Sequence, residues 1–283
     1  MPNITRFAPS PTGQLHLGHA HAASEVFKFA EASKSLALLR IEDIDHTRCR
    51  PKYTRGIYED LSWLGYSWPT PVRVQSEHYS DYAKVVTDLV QRGLAYPCVL
   101  SRSDLKAGKR TIRPNSPSHA EAARVCDRLR KSVRLKTPSL PFSVRLDLKA
   151  ALRRTPAKLP YFEQGVLRQA LPDLHAWAAS DHPDPIIARK DIGASYHIAV
   201  THDDHLQGVT HIVRGEDFLD QTPLHILIQN LMGWTTPHYH HHALVTDDTG
   251  RKLSKSDKDI TIQSLRESGI KPADVLSRAR GAL

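Results

Sequence analysis

Arg6-Phe-Ala-Pro-Ser-Pro-Thr-Gly-Gln-Leu-His16-Leu-Gly18-His19 is the stretch on which the reading of this chain turns. Residues 3–8 predict a short strand. The Pro- and Gly-containing turn after them delivers two histidines to a helix expected from about Leu17 to Ser33. A His-x-Gly-His at such a strand-to-helix junction suits nucleotide binding. The glycine lets the backbone approach a base closely, and first-turn N–H groups with the two imidazoles face phosphates. Far along the chain lies Arg251-Lys252-Leu-Ser-Lys255-Ser256. A Lys-x-x-Lys-Ser loop supplies positive charge where a departing pyrophosphate accumulates negative charge. Together the two motifs predict ATP-dependent activation of a carboxylate. His16, Gly18, His19 and Lys255 would contact ATP, and His16, His19, Lys252 and Lys255 would carry the catalytic charge, with Mg²⁺ entering beside the nucleotide.

Working outward, Leu36–Glu42 is a compact apolar run suited to a buried parallel strand. Helices are expected to start near Pro51 and Ser76, the second stopping at Gly93. This alternation is that of an α/β fold, a doubly wound Rossmann-type nucleotide-binding domain with ligands at the strand C-terminal ends. From Tyr96 to about Arg168 the alternation breaks down, which reads as an insertion, with a Pro- and Ser-rich loop at Arg110–His119. Regularity returns with Ala194–Thr201, Gly208–Arg214 and a helix over Pro223–Met232, and Asp248-Thr-Gly250 signals a turn before Lys252. The expected organisation is residues 1–98 and 171–246 as the two halves of the nucleotide fold. Residues 99–170 form a basic insertion, and 247–283 the Lys-Leu-Ser-Lys-Ser loop with a short helical C-terminal part.

Composition sets bounds. No stretch of about 18 apolar residues could span a bilayer, and Met1-Pro-Asn-Ile-Thr-Arg has no apolar core of an export signal. Three widely spaced cysteines, Cys49, Cys98 and Cys126, point to a reducing, cytoplasmic setting. Residues 101–170 hold 17 Lys and Arg against 5 Asp and Glu, a net of +12, whereas the whole chain carries +9. A basic segment in a body that sums to −3 is an electrostatic footprint for a polyanion, RNA being the natural one.

The N-terminal stretch, with Arg40-Ile-Glu42-Asp-Ile-Asp45-x-x-Arg48, resembles the class I glutamyl-tRNA synthetases. Tyr196 in Tyr-His-Ile-Ala-Val-Thr-His-Asp-Asp, Gly208-Val-Thr-His-Ile-Val-Arg214-Gly-Glu-Asp217 and Lys-Leu-Ser-Lys-Ser extend that resemblance collinearly over most of residues 1–260. It implies that Arg6, Phe7, Ala8, Pro9, Ser10, Glu42, Tyr196 and Arg214 line a site for L-glutamate. The chemistry agrees. Arginine forks suit two carboxylates, and Glu42 can pair with the ammonium. Which arginine holds which carboxylate stays open.

Only 27 residues follow Ser256, whereas full-length members continue into an anticodon-binding region. In length and motif the chain resembles the family's shorter branch. That branch joins glutamate to the queuosine base in the anticodon loop of tRNA(Asp). A monomer that grips the anticodon stem-loop is expected. The alternatives are a synthetase core charging the tRNA 3′ end and a small-molecule nucleotidyltransferase. Many relatives carry a zinc site beginning Cys-x-Cys, but here Leu100 stands at the second position of Cys98-Val-Leu100. Cys98 and Cys126, with His119, fall short of the four ligands that tetrahedral zinc wants, so zinc is not expected. His238-Tyr-His-His-His242 reads as a strand of partly exposed histidines rather than a metal site.

Overall fold

Two sets of parallel strands meet at β1, and their meeting point positions everything that follows. The computed structural model describes residues 2–101, 103–104, 107, 119–135, 137–245 and 260–281. Strand β1 (Ile4–Phe7) leads into helix α1 (Leu17–Ala32), which returns the chain to β2 (Leu36–Ile41). The two strands pair in parallel from Ile4 opposite Leu36 to Phe7 opposite Leu39. Helix α2 (Pro51–Trp63) opens on a proline, whose fixed φ suits the first helical turn, and β3 (Arg73–Val74) pairs beside β2. Helix α3 (Tyr79–Gln91) stops before Gly93, whose φ of +67° is cheap only for glycine.

Next come β4 (Ala95–Cys98), α4 (His119–Ser132), β5 (Ser143–Leu146) and α5 (Leu148–Leu152). The hairpin β6 (Pro160–Glu163) and β7 (Val166–Gln169), helix α6 (Leu171–Ala179) and β8 (Ile186–Ala188) follow. Strands β4, β5 and β8 form an antiparallel sheet. Helix α7 (Tyr196–Leu206) is capped by Ser195, whose hydroxyl accepts from Ile198 N, and precedes β9 (His211–Gly215). A 3₁₀ turn (Glu216–Gln221), α8 (Thr222–Leu231), β10 (His238–His242), α9 (Ile262–Glu267) and α10 (Pro272–Gly281) complete the described chain.

Strand β10 pairs in parallel with β9 on one side and with β6 on the other, so the second sheet runs β7-β6-β10-β9. Strand β9 lies beside β1. Thr210 N donates to Ile4 O at 2.9 Å, and Ile4 N donates to the Thr210 hydroxyl at 2.8 Å. Strand order therefore reverses between β1 and β9, the switch point at which doubly wound folds leave a crevice. Arg6 and Arg214 sit near the C-terminal ends of the two strands that flank it. Sheet connectivity also crosses residues 98 and 170: β4 pairs with β5, β5 with β8, and β6 with β10.

Two apolar clusters hold these layers. One gathers α3, the antiparallel sheet and α8; the other lies under α1, β1, β2 and α2 and is closed by Val275 and Ala279 of α10. Helix α1 buries Ala20, Ala23, Val26 and Ala30, small side chains that let it approach the sheet closely. A buried β2 residue such as Leu39 truncated to alanine costs about 2–5 kcal/mol through lost burial and the cavity left behind. Cys98 and Cys126 are buried and unbridged. No helix among the described residues is long and apolar enough to cross a membrane.

Candidate active site

At the start of α1 an imidazole replaces the usual hydroxyl or carboxylate cap. The His16 Nδ1 accepts from Gly18 N at 3.1 Å, and the His16 backbone N–H donates to His19 Nδ1 at 3.2 Å. This is a reciprocal capping box built from two histidines. Because each Nδ1 accepts, the neutral rings carry their protons on Nε2 and offer N–H donors at a helix N-terminus, a combination suited to phosphate oxygens. A Cβ at position 18 would lie 3.0 Å from His16 Cε1 and 3.2 Å from its Nδ1, so the His16 ring would have to give way to any larger residue. The same corner is tied to the C-terminal helices: His16 bridges Thr261, and Ile262 N donates to Leu15 O at 2.8 Å. Lys252, Lys255 and the turn at Asp248-Thr-Gly250 lie outside the described residues.

Beside this corner, four buried charges form a balanced group. Arg6 donates to Asp204 through Nε at 2.9 Å and Nη2 at 3.4 Å. Arg40, fully enclosed in β2, donates to Asp204 at 2.9 Å, to Gln207 at 2.9 Å and to Glu42 at 3.1 Å. Burial alone would raise the carboxyl of Asp204, yet Arg6 and Arg40 hold it below the usual range. Burial wins at Glu42, whose carboxyl is raised despite Arg40 and Arg6. Glu42 N also donates to Pro9 O at 3.1 Å, which ties the Ala8–Ser10 turn to the end of β2.

Arg214 is held differently. Its Nε donates to His241 Nε2 at 3.1 Å, its Nη1 to His225 Nδ1 at 3.1 Å, and its Nη2 to the Thr222 hydroxyl at 2.6 Å and Phe218 O at 3.3 Å. The guanidinium stacks over the rings of Phe218 and Tyr239. It is buried, and no carboxylate of the described residues pairs with it. A guanidinium only donates, so both imidazole partners must present lone pairs to it. The other nitrogens then donate: His225 Nε2 to His197 Nδ1 at 3.0 Å, and His241 Nδ1 to Glu163 at 2.8 Å. Burial first, and then the Arg214 charge, push His197 down to about 4 and hold His225 well below the ordinary imidazole value. Tyr196 packs on His225 and Phe218, and burial with the charge of Glu42 pushes its phenol up to about 12. Among the described residues, therefore, the charges around Asp204 are paired directly, whereas Arg214 touches no carboxylate and meets the nearest one, Glu163, only through the ring of His241.

Arg6, Glu42, Tyr196 and Arg214 thus gather around one crevice, whereas Phe7, the next residue on β1, turns into the apolar cluster beneath α1. Arg40, Asp204, His197, His225, His241 and Glu163 belong to the crevice without having been singled out by sequence. The His-Asp-Asp of α7 was a usable signal for Asp204. For His241 it was the period of two along β10. His238, His240 and His242 face α1, the first exposed and the other two partly so. Tyr239 and His241 face the site and are buried, so the strand is not uniformly of partly exposed histidines. Among the described residues no three His, Cys, Asp or Glu side chains converge as a metal site, and the side chain of His119 lies outside them. Magnesium implied by ATP chemistry would enter on the nucleotide's phosphates rather than on a site of the described residues.

Residues 4–280 match the catalytic domain of the class I tRNA synthetases (E and Q). A glutamyl-Q tRNA(Asp) synthetase of Rhodobacter capsulatus is 37% identical over 280 residues, covering 96% of this chain and 98% of that protein. The mitochondrial glutamate–tRNA ligase of Saccharomyces cerevisiae is 34% identical over 98% of this chain and 51% of its own length. The chain thus spans about half the length of the glutamate–tRNA ligases it matches. A solved glutamate–tRNA ligase of Elizabethkingia meningosepticum, in complex with its amino acid, superimposes with a TM-score of 0.63 at 26% identity, over 92% of this chain and 53% of that one.

Proposed function

Because this chain belongs to the class I tRNA synthetases of the E and Q type, and is therefore an ATP-dependent ligase, we propose that it activates L-glutamate as glutamyl-adenylate. It then transfers the glutamyl group to the queuosine base in the anticodon loop of tRNA(Asp), acting in the cytoplasm as a monomer. In the first step an α-carboxylate oxygen of glutamate bonds to the α-phosphorus of ATP, and the bond to the departing pyrophosphate breaks. In the second, a hydroxyl of the acceptor attacks the adenylate carbonyl, loses its proton, and AMP leaves. Neither step asks much of a side-chain base. Positioning and charge stabilisation dominate.

His16 and His19 would donate to phosphate oxygens at the α1 N-terminus. Lys252 and Lys255 would neutralise the pyrophosphate as it departs. Glu42 would take the ammonium, and Arg6 and Tyr196 would line the pocket around the bound amino acid. The observation that carries the glutamate reading is the guanidinium of Arg214, buried where strand order reverses and touched by no carboxylate of the described residues. A side-chain carboxylate completes that charge; an amide does not. ATP with Mg²⁺ suffices for this chemistry, and no zinc is invoked, since Leu100 interrupts the Cys-x-Cys start of the relatives' site.

The queuosine acceptor is supported by the match that runs along 98% of a protein of that activity. A basic segment of net +12, able to hold phosphates flanking a splayed loop, supports it too. The 34% identity to a glutamate–tRNA ligase favours charging of the 3′ end instead. Labelled glutamate, ATP and total tRNA, followed by nuclease mapping, separate the two. Label on an anticodon-loop nucleoside bears the proposal out, and label on the terminal adenosine replaces it.

A further inference from the structure

We infer that His225 and His241 are positioning residues that set the selectivity of this site for an anionic amino-acid side chain, by holding Arg214 firmly without neutralising it. The inference rests on the glutamate reading above and deepens it. Three guanidiniums line one crevice, and two of them show the ordinary solution for a buried cation. Arg6 is paired with Asp204, and Arg40 with Asp204 and Glu42. Arg214, equally buried, has neutral imidazoles in the places where the others have carboxylates. The guanidinium is thus pinned at Nε, Nη1 and Nη2, by His241, His225 and Thr222, while its charge stays available to a ligand.

Each imidazole is itself locked in the tautomer this requires. His225 hands its remaining proton to His197 at 3.0 Å, and His241 hands its own to Glu163 at 2.8 Å. Glu163, the carboxylate at the end of this chain of contacts, is separated from the guanidinium by the whole ring of His241. An imidazole in either place therefore does what a carboxylate could not: it accepts from arginine at hydrogen-bonding distance and adds no charge.

The test is a pair of nearly isosteric variants that differ only in charge. In His225→Asn the amide oxygen falls close to the place of Nδ1 and accepts from Arg214 while staying neutral. In His225→Asp the same atom is anionic. Pyrophosphate exchange is measured with glutamate and with glutamine, resolving KM from kcat. The asparagine variant is expected to keep its glutamate preference, with a glutamate KM within about tenfold of the parent. The aspartate variant is expected to raise the glutamate KM by roughly 10²-fold and to lose most of the discrimination against glutamine, with less effect on kcat. Equal glutamate-to-glutamine ratios in the two variants overturn the inference.

Thermal unfolding with and without ATP shows that each variant is folded. Should the aspartate variant not fold, His241→Gln against His241→Leu asks the same question through loss of the acceptor. The glutamine variant should keep the glutamate KM and the leucine variant should raise it; equal values overturn the inference. A parent protein that exchanges no pyrophosphate with glutamate refutes the proposed function instead, so the two failures are distinguishable.

Discussion

Arg6 grips Asp204 at two points, Nε to Oδ1 at 2.9 Å and Nη2 to Oδ2 at 3.4 Å, so its charge is already matched before any ligand arrives. That pair divides the labour between the arginines which sequence left interchangeable. Arg6 belongs to the internally balanced group around Asp204, and Arg214 is the cation that no carboxylate of the described residues touches.

The division predicts opposite phenotypes. Arg214→Gln should leave stability little changed but raise the glutamate KM in pyrophosphate exchange by roughly 10²-fold or more, with glutamine gaining relative to glutamate. Arg6→Gln should instead cost about 3–5 kcal/mol in denaturant unfolding, because it leaves buried Asp204 with Arg40 as its remaining arginine partner. Equal shifts in KM with equal losses of stability would contradict the assignment.

Gly18→Ala tests the nucleotide corner. Its methyl would press on the His16 ring from 3.0 Å and displace the cap that Gly18 N and His16 Nδ1 form. Loss of a cap costs about 1 kcal/mol of stability. The larger expectation is a rise of roughly tenfold or more in the ATP KM, since the imidazole meant for phosphate moves with the cap. Exchange kinetics against ATP concentration read the effect, and an unchanged ATP KM would remove His16 from the nucleotide site.

Lys255→Ala should lower the turnover of pyrophosphate exchange by about 10²–10³-fold while leaving the glutamate KM close to that of the parent. An ammonium that acts only as pyrophosphate departs has no hold on the ground state. Turnover near that of the parent would exclude the role.

The imidazole cluster makes stability depend on pH with a definite sign. Burial and the Arg214 charge push His197 down to about 4 and hold His225 well below the 6.5 of an unperturbed imidazole. Both folded values are depressed, so the unfolded chain takes up protons that the folded chain cannot. The stability contributed by the neutral rings is complete above about 6.5 and drains away as pH falls from there toward 4. Urea unfolding across that range should show a shallower decline for His225→Asn than for the parent. Identical slopes would mean that His225 does not stay neutral in the fold.

Much of the frame was legible from local pattern. Residues 4–41 read as strand, helix and strand because a buried parallel pair leaves apolar runs, and a helix start leaves a capping pattern. The turn at Gly93 and the helix expected over Pro223–Met232, which spans Thr222–Leu231, were equally local. What pattern did not give was the partnership of the charges. His225 sits inside an apolar helix, where a lone histidine reads as core, and His241 is hidden in a run of four histidines within five residues. Their meeting with Arg214 depends on α8 and β10 packing against β9, a tertiary event without a local signature. The same holds for β6, whose pairing with β10 carries Glu163 to His241 across 78 positions.

Incorporation of labelled glutamate into tRNA from which the 3′ adenosine has been trimmed bears most directly on the central claim. Transfer to a base in the anticodon loop needs no terminal ribose, so incorporation undiminished relative to intact tRNA is the predicted result. Its complete loss on trimming would contradict the claim and place the acceptor at the 3′ end.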